Sequence, residues 1–170
     1  MNTRKQTHIQ YGFITGLAVV ILGAIMEVAK ISDNPGMQWI GMLIMLVGLI
    51  LNAQAYSKAN DANITFGQAF GSSFKATAII ALVVALWTVI AFMAFPGMEA
   101  RLLEKAQNDM MDKKMSEEQI DMAMNMTRKY FKVFGVAGAL FGTLFFGAIG
   151  SLIAAAIAKK NPRRPQMDIQ

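Results

Sequence analysis

The chain has 170 residues, of which 55% are hydrophobic and only 16% charged, and its mean hydropathy is +0.41. Soluble domains carry about a quarter charged residues, so this composition cannot coat a water-soluble globule, and the length suits one domain. Cysteine is absent and the one histidine is His8, which excludes disulfides, a thiol nucleophile and a four-ligand His/Cys metal site.

A bilayer core about 30 Å thick needs about 20 apolar residues of helix. The first such run is 11–29, free of charge until Glu27. It follows Arg4 and Lys5 but is too long for a cleaved signal peptide and lacks a small-x-small cleavage site, so it reads as a retained anchor. Lys30 stands one turn beyond Glu27 and pairs with it in this reading, the one candidate for an intramembrane polar pair. The second span is 37–56, with Asn52 and Gln54 near its inner end as candidate helix–helix hydrogen bonds. Trp39, Tyr11 and Tyr56 sit near span ends, where interfacial aromatics anchor.

At about 64–75 the sequence predicts an interfacial helix. Thr65 with Gln68 fits a capping box, and Phe66, Phe70 and Phe74 share one face that would enter the lipid boundary. The third span, 76–95, ends at Phe95-Pro96-Gly97, because proline disfavours helix in the residue before it. From 98 to 132 the pattern predicts an extramembrane helical hairpin. Met98, Leu102, Ala106 and Met110 form a stripe on the first arm, and Ser116 with Gln119 caps the second. Ile120, Ala123, Met124, Thr127, Tyr130 and Phe131 line one face of that second arm, which is expected to run into the next span without a break, apart from flexibility near Gly135 and Gly138. The fourth span is 133–158, uncharged and long enough to tilt.

The fold expected is therefore all-α and integral to the membrane: four transmembrane helices with a periplasmic helical hairpin between spans three and four. The net charge of +5 (pI about 9.6) collects just outside the apolar runs, which marks topology and not nucleic-acid binding. Arg4, Lys5, Lys58, Lys75, Lys159, Lys160, Arg163 and Arg164 fall on one side; the first loop opposite has Lys30 alone, facing Asp33. The hairpin's seven basic residues are matched by seven acidic ones. Both termini are accordingly expected in the cytoplasm of a multi-pass inner-membrane protein.

Glycine recurs through the spans. Gly12/Gly16 and Gly138/Gly142 are GxxxG pairs, joined by Gly147 and Gly150, and all six are expected to let helix backbones pack closely, within the chain or between copies. Seven of the fourteen methionines lie in the hairpin. Met111 with Met115, and Met122 with Met126, share faces that suit a partner surface better than a Cu(I) site, since no histidine or cysteine supports a metal. No P-loop, dinucleotide fingerprint, HExxH or GxSxG motif is present, and no catalytic residue or cofactor is expected.

Phe66–Gly71 (FGQAFG), the Phe-Pro-Gly break, the Ser116–Ile120 turn (SEEQI) and the closing GAIGSLIAA with Lys159-Lys160 resemble, in order and spacing, one family. It is the uncharacterised four-pass bacterial membrane family called domain of unknown function 4199. The resemblance covers nearly the whole chain and implies a bacterial envelope protein with no assigned activity and no functional residues to carry over. Two functions fit the residues. One is a membrane scaffold or accessory subunit presenting the hairpin to a partner in a homo-oligomer or larger membrane complex. The other is a small transporter or channel-like protein with a path between helices.

Overall fold

In lipid a backbone must satisfy its own hydrogen bonds, so each uncharged run closes into helix. The computed structural model describes residues 6–32 and 34–162. Arg4, Lys5, Asp33, Arg163 and Arg164, which enter the orientation reading, lie outside the described residues. Five helices follow in order: α1 (His8–Val28), α2 (Pro35–Ala59), α3 (Phe66–Ala94), α4 (Pro96–Asp112) and α5 (Glu117–Ile157). Four of them, all but α4, are long and apolar enough to cross a membrane, and the described residues contain no strand.

The helix starts are chemically specified. Asn34 accepts from the Gly36 N–H (2.9 Å) at the head of α2. Thr65 and Gln68 form a reciprocal capping box on α3 (3.3 and 2.9 Å), and Ser116 and Gln119 form another on α5 (3.3 and 3.2 Å).

One boundary and the place of one kink differ from expectation. The segment 64–75 is no separate interfacial helix but the opening turns of α3, which runs unbroken for 29 residues, about 43 Å at 1.5 Å per residue. Its small face is the reason: Ala69, Ser72 and Ser73 are buried against the bundle while Phe66 and Phe74 point outward, so the capped helix simply continues inward. The second hairpin arm runs on into the fourth span, as expected, and the two are one element, α5. Its backbone leaves helical values at Tyr130 (φ −114°, ψ 15°), not at Gly135 or Gly138. Phe92 and Phe131 pack at 5.2 Å between centroids beside this kink, and Gly135 lies directly under the Phe92 ring.

Within the bundle α1 lies against α2 and α3, and α5 lies against the same two, while α2 and α3 touch across the middle. Thr7 reaches Asn52, and the Asn161 N–H donates to the Ala62 carbonyl (2.6 Å), so the start of α1, the end of α2 and the end of α5 share one end of the bundle. The apolar core sits towards that end, built from residues such as Leu49, Ala53, Ile64, Ala69, Ile80 and Ala154. At the hairpin end few side chains are buried, and α4 buries none. The bundle is therefore asymmetric along its axis: tight by the termini, loose beneath the hairpin.

A hairpin clasped over an interhelical cavity as the candidate site

Polar side chains explain the tight end. Asn52 is fully buried on α2; its Oδ1 accepts from Thr7 (2.7 Å), and its Nδ2 donates to Ser72 (3.3 Å) and more loosely to Ser73 (3.5 Å). One turn along α3, Thr77 donates to the Gly147 carbonyl (3.3 Å) and shares a hydrogen bond with Ser151 (3.2 Å). The Ser57 hydroxyl donates to the Lys159 carbonyl, and Lys160 folds back onto the Ala155 and Ala158 carbonyls (2.6 Å each). That ammonium satisfies the orphan carbonyls of α5 and opposes its negative dipole end. Every buried side-chain nitrogen and oxygen among the described residues has a partner, so this cluster holds helices together and none of its buried polar atoms is left unpaired. Of the two expected polar residues, Asn52 does this work while Gln54 is exposed. Hydroxyls on α3 and α5 were illegible beforehand, since serine and threonine sit as readily on a lipid face.

The glycines divide into two groups. An added Cβ at Gly12 would stand 2.9 Å from the Ala76 carbonyl oxygen, and one at Gly16 would stand 3.1 Å from Val83. Gly147 lies against Thr77 and Gly150 against Leu49 (3.0 Å). These four are the close-packing contacts expected of them. Gly48, pressed on Thr15, joins them without having been singled out. Gly138 and Gly142 do not: a Cβ at either would meet nothing within 4 Å. Within the chain, then, they pack no neighbouring helix, because α2 and α5 touch at Leu49 and Gly150 and then separate towards the hairpin; contact between copies is a separate matter. Gly41 on α2 faces equally open space.

That separation leaves a cavity of about 840 Å³. Every helix contributes to its wall: Val19 from α1, Met45 from α2, Val84 from α3, Leu102 from α4, and Gly142 and Phe146 from α5. Leu102, from the first hairpin arm, is its roof. The arm is fastened there by an ion pair that was not foreseen. Glu27, 8% exposed at the end of α1, takes the Arg101 guanidinium, and the Ser32 hydroxyl donates to its second oxygen (2.9 Å). The expected partner, Lys30, is not the one used. Helix α1 ends in a Schellman motif, with the Lys30 N–H on the Glu27 carbonyl (3.1 Å) and the Ile31 N–H on the Met26 carbonyl (2.9 Å). Lys30 therefore occupies left-handed backbone (φ 55°) past the last turn, out of line with the face that carries Glu27. No sequence spacing links Glu27 to Arg101, 74 residues away, so only the folded hairpin reveals the pair.

On the hairpin, Ile120 and Met124 are buried, whereas Met122 and Met126 are 68% and 58% exposed and Met111 is 50% exposed. Met115 is half-buried and lines a shallow groove with Gln107 and Ile120. Among the described residues no three acidic or histidine side chains stand close enough to share a metal ion.

The described residues are helical throughout their regular structure, and four helices long and apolar enough to cross a membrane mark a multi-pass membrane protein. The profile of the family described as "Protein of unknown function (DUF4199)" matches residues 10–160, and the chain belongs to that family. No curated protein and no solved structure gave a match.

Proposed function

We propose that this is a bacterial inner-membrane protein, with both termini cytoplasmic and the hairpin periplasmic, that acts without catalysis as a scaffold or accessory subunit. It presents its hairpin to a partner in the same membrane or to a second copy of itself. The orientation is supported by Lys58, Lys75, Lys159 and Lys160 at the terminal end, against balanced charge on the hairpin.

The observation that carries the reading is a fixed hairpin with exposed methionines on its outer face. Arg101 binds it to α1 through Glu27, while Met122 and Met126 turn outward, opposite the face that packs on α4. Exposed methionines adapt to varied contacts, and a held arm presents them at low entropic cost. Because the chain has no cysteine, Asn108→Cys gives a unique thiol, and its labelling by a membrane-impermeant maleimide from the periplasm checks the orientation.

Function is tested by purifying the full chain in mild detergent and determining the mass of the complex. A stoichiometric partner, or a defined homo-oligomer, that is lost in Met122→Lys/Met126→Lys supports the reading. A monodisperse monomer, or an assembly indifferent to those changes, overturns it. The second reading, a small transporter or channel-like protein with a path between helices, has the cavity beneath the hairpin in its favour and the closed α2–α5 seam at Gly150 and Leu49 against it.

A further inference from the structure

We infer that the cavity beneath the hairpin is a binding site for one hydrocarbon chain of a membrane lipid, drawn from the leaflet on the hairpin side. The inference is independent of the scaffold reading. At about 840 Å³ the space lies within the roughly 300–1,000 Å³ of pockets that hold small ligands.

Its lining decides what fills it. Thr143 supplies the one side-chain hydroxyl in a wall otherwise made of aliphatic, thioether, aromatic and glycine surface. A buried water needs about two to four polar partners, so water has little to hold it there. Left empty, the wall forfeits its dispersion contacts on one side. Hydrocarbon is the solvent immediately outside, and Gly138 is exposed on the α5 rim, with Phe146 beside the wall at 46%.

Shape excludes a partner's helix as the occupant, and it excludes a through-path. A partner's transmembrane helix, about 10–12 Å across with its side chains, needs a groove along the whole span. The seam between α2 and α5 is shut in its terminal half, where Gly150 meets Leu49. The same closure makes the cavity blind. Below Met45 and Ile80, Leu49, Ala53 and Ala154 are fully buried, so no route continues to the far face. A chain enters between α2 and α5, lies along Gly142 and stops at Met45, with Leu102 above it. The site therefore retains a lipid chain and does not conduct one. The absence of a Cβ at Gly138, Gly142 and Gly41 is what leaves the space open, and their missing packing contacts in the protein are replaced by contacts with the chain.

The test uses the full chain in vesicles of phosphatidylethanolamine and phosphatidylglycerol. These are doped with a phosphatidylglycerol bearing a diazirine in mid-chain, irradiated, and the adducts mapped by mass spectrometry. Adducts on Met42 and Val84, half-buried on the cavity wall, are expected beside those on outward-facing Leu82 and Leu86. Gly142→Leu fills the space from within and should abolish the Met42 and Val84 adducts while leaving the Leu82 and Leu86 adducts unchanged. Thr143→Phe is the second filling variant should the first not fold. Labelling confined to outward-facing side chains in the wild type overturns the site. So does Met42 or Val84 labelling that survives in a folded filling variant.

Discussion

Lys30, Asp61 and Lys114 each occupy left-handed backbone just past a helix, at φ 55°, 53° and 56°. Each closes a Schellman motif, a position where glycine is the usual residue. Left-handed backbone costs an L-residue about 1–2 kcal/mol, and glycine returns about 0.4–1 kcal/mol of that through its freer unfolded chain. Lys30→Gly and Lys114→Gly should each gain about 0.5–1 kcal/mol. A rise of a few degrees in the thermal melt in detergent checks this, and a fall would show that the lysine side chains make contacts that matter more. The same motifs explain why helix ends were less legible than helix starts. Asn34, Thr65 and Ser116 are recognisable caps, whereas a lysine in a glycine position carries no signal. Asn52 is the converse case, a polar residue in an apolar run whose partners, Ser72 and Ser73, had been assigned to an interfacial surface. Asn52→Leu leaves those hydroxyls without their amide. Interhelical hydrogen bonds in lipid average about 0.6 kcal/mol and reach about 1.7, so a loss in that range is expected in the same melt.

At the scale of elements, the hairpin was legible as two amphipathic arms and a capped turn, but its attachment was not. Glu27 is 7% exposed by its side chain and Arg101 33%, so the pair is intermediate between a surface bridge and a buried one. Exposed pairs couple by about 0.2–1 kcal/mol, whereas removing one partner of a buried pair costs about 3–5. A double-mutant cycle of Glu27→Gln and Arg101→Gln should therefore give a coupling of about 1–2 kcal/mol, between those limits. A coupling near zero would mean that the hairpin is held by Leu102 and the Phe92–Phe131 contact instead. Local stability follows burial, and α4 buries no residue while α3 buries eight. Amide exchange in α4 should accordingly be faster than in 69–81 of α3, and faster still in Glu27→Gln. The interfacial helix was misread for a related reason. Its phenylalanine face was conspicuous, but the small face made of Ala69, Ser72 and Ser73 decides where the segment goes, and small residues announce packing only when a partner helix is known.

Across the whole molecule, glycine does two opposite things, and the sequence distinguishes them poorly because GxxxG reads alike in both. Gly12/Gly16 and Gly138/Gly142 share one spacing, yet the first pair touches α3 and the second borders open space. Neighbouring helices decide the difference: α2 and α5 run in the same direction, meet at Leu49 and Gly150, and diverge beyond it. Alanine substitution separates the two roles by sign. At Gly147 a Cβ stands 2.8 Å from the Thr77 hydroxyl, in a packed core where Thr77 also bonds Ser151. Overpacking of this kind costs about 1–3 kcal/mol, so Gly147→Ala should lower the melting temperature. At Gly142 the same methyl meets nothing within 4 Å, and replacing a mid-helix glycine by alanine favours helix by about 0.8–1.0 kcal/mol. Gly142→Ala should raise the melting temperature. If both substitutions destabilise to a similar degree, the divergence of α2 and α5 is absent from the protein in detergent, and the asymmetry between a knitted terminal half and an open hairpin half fails with it.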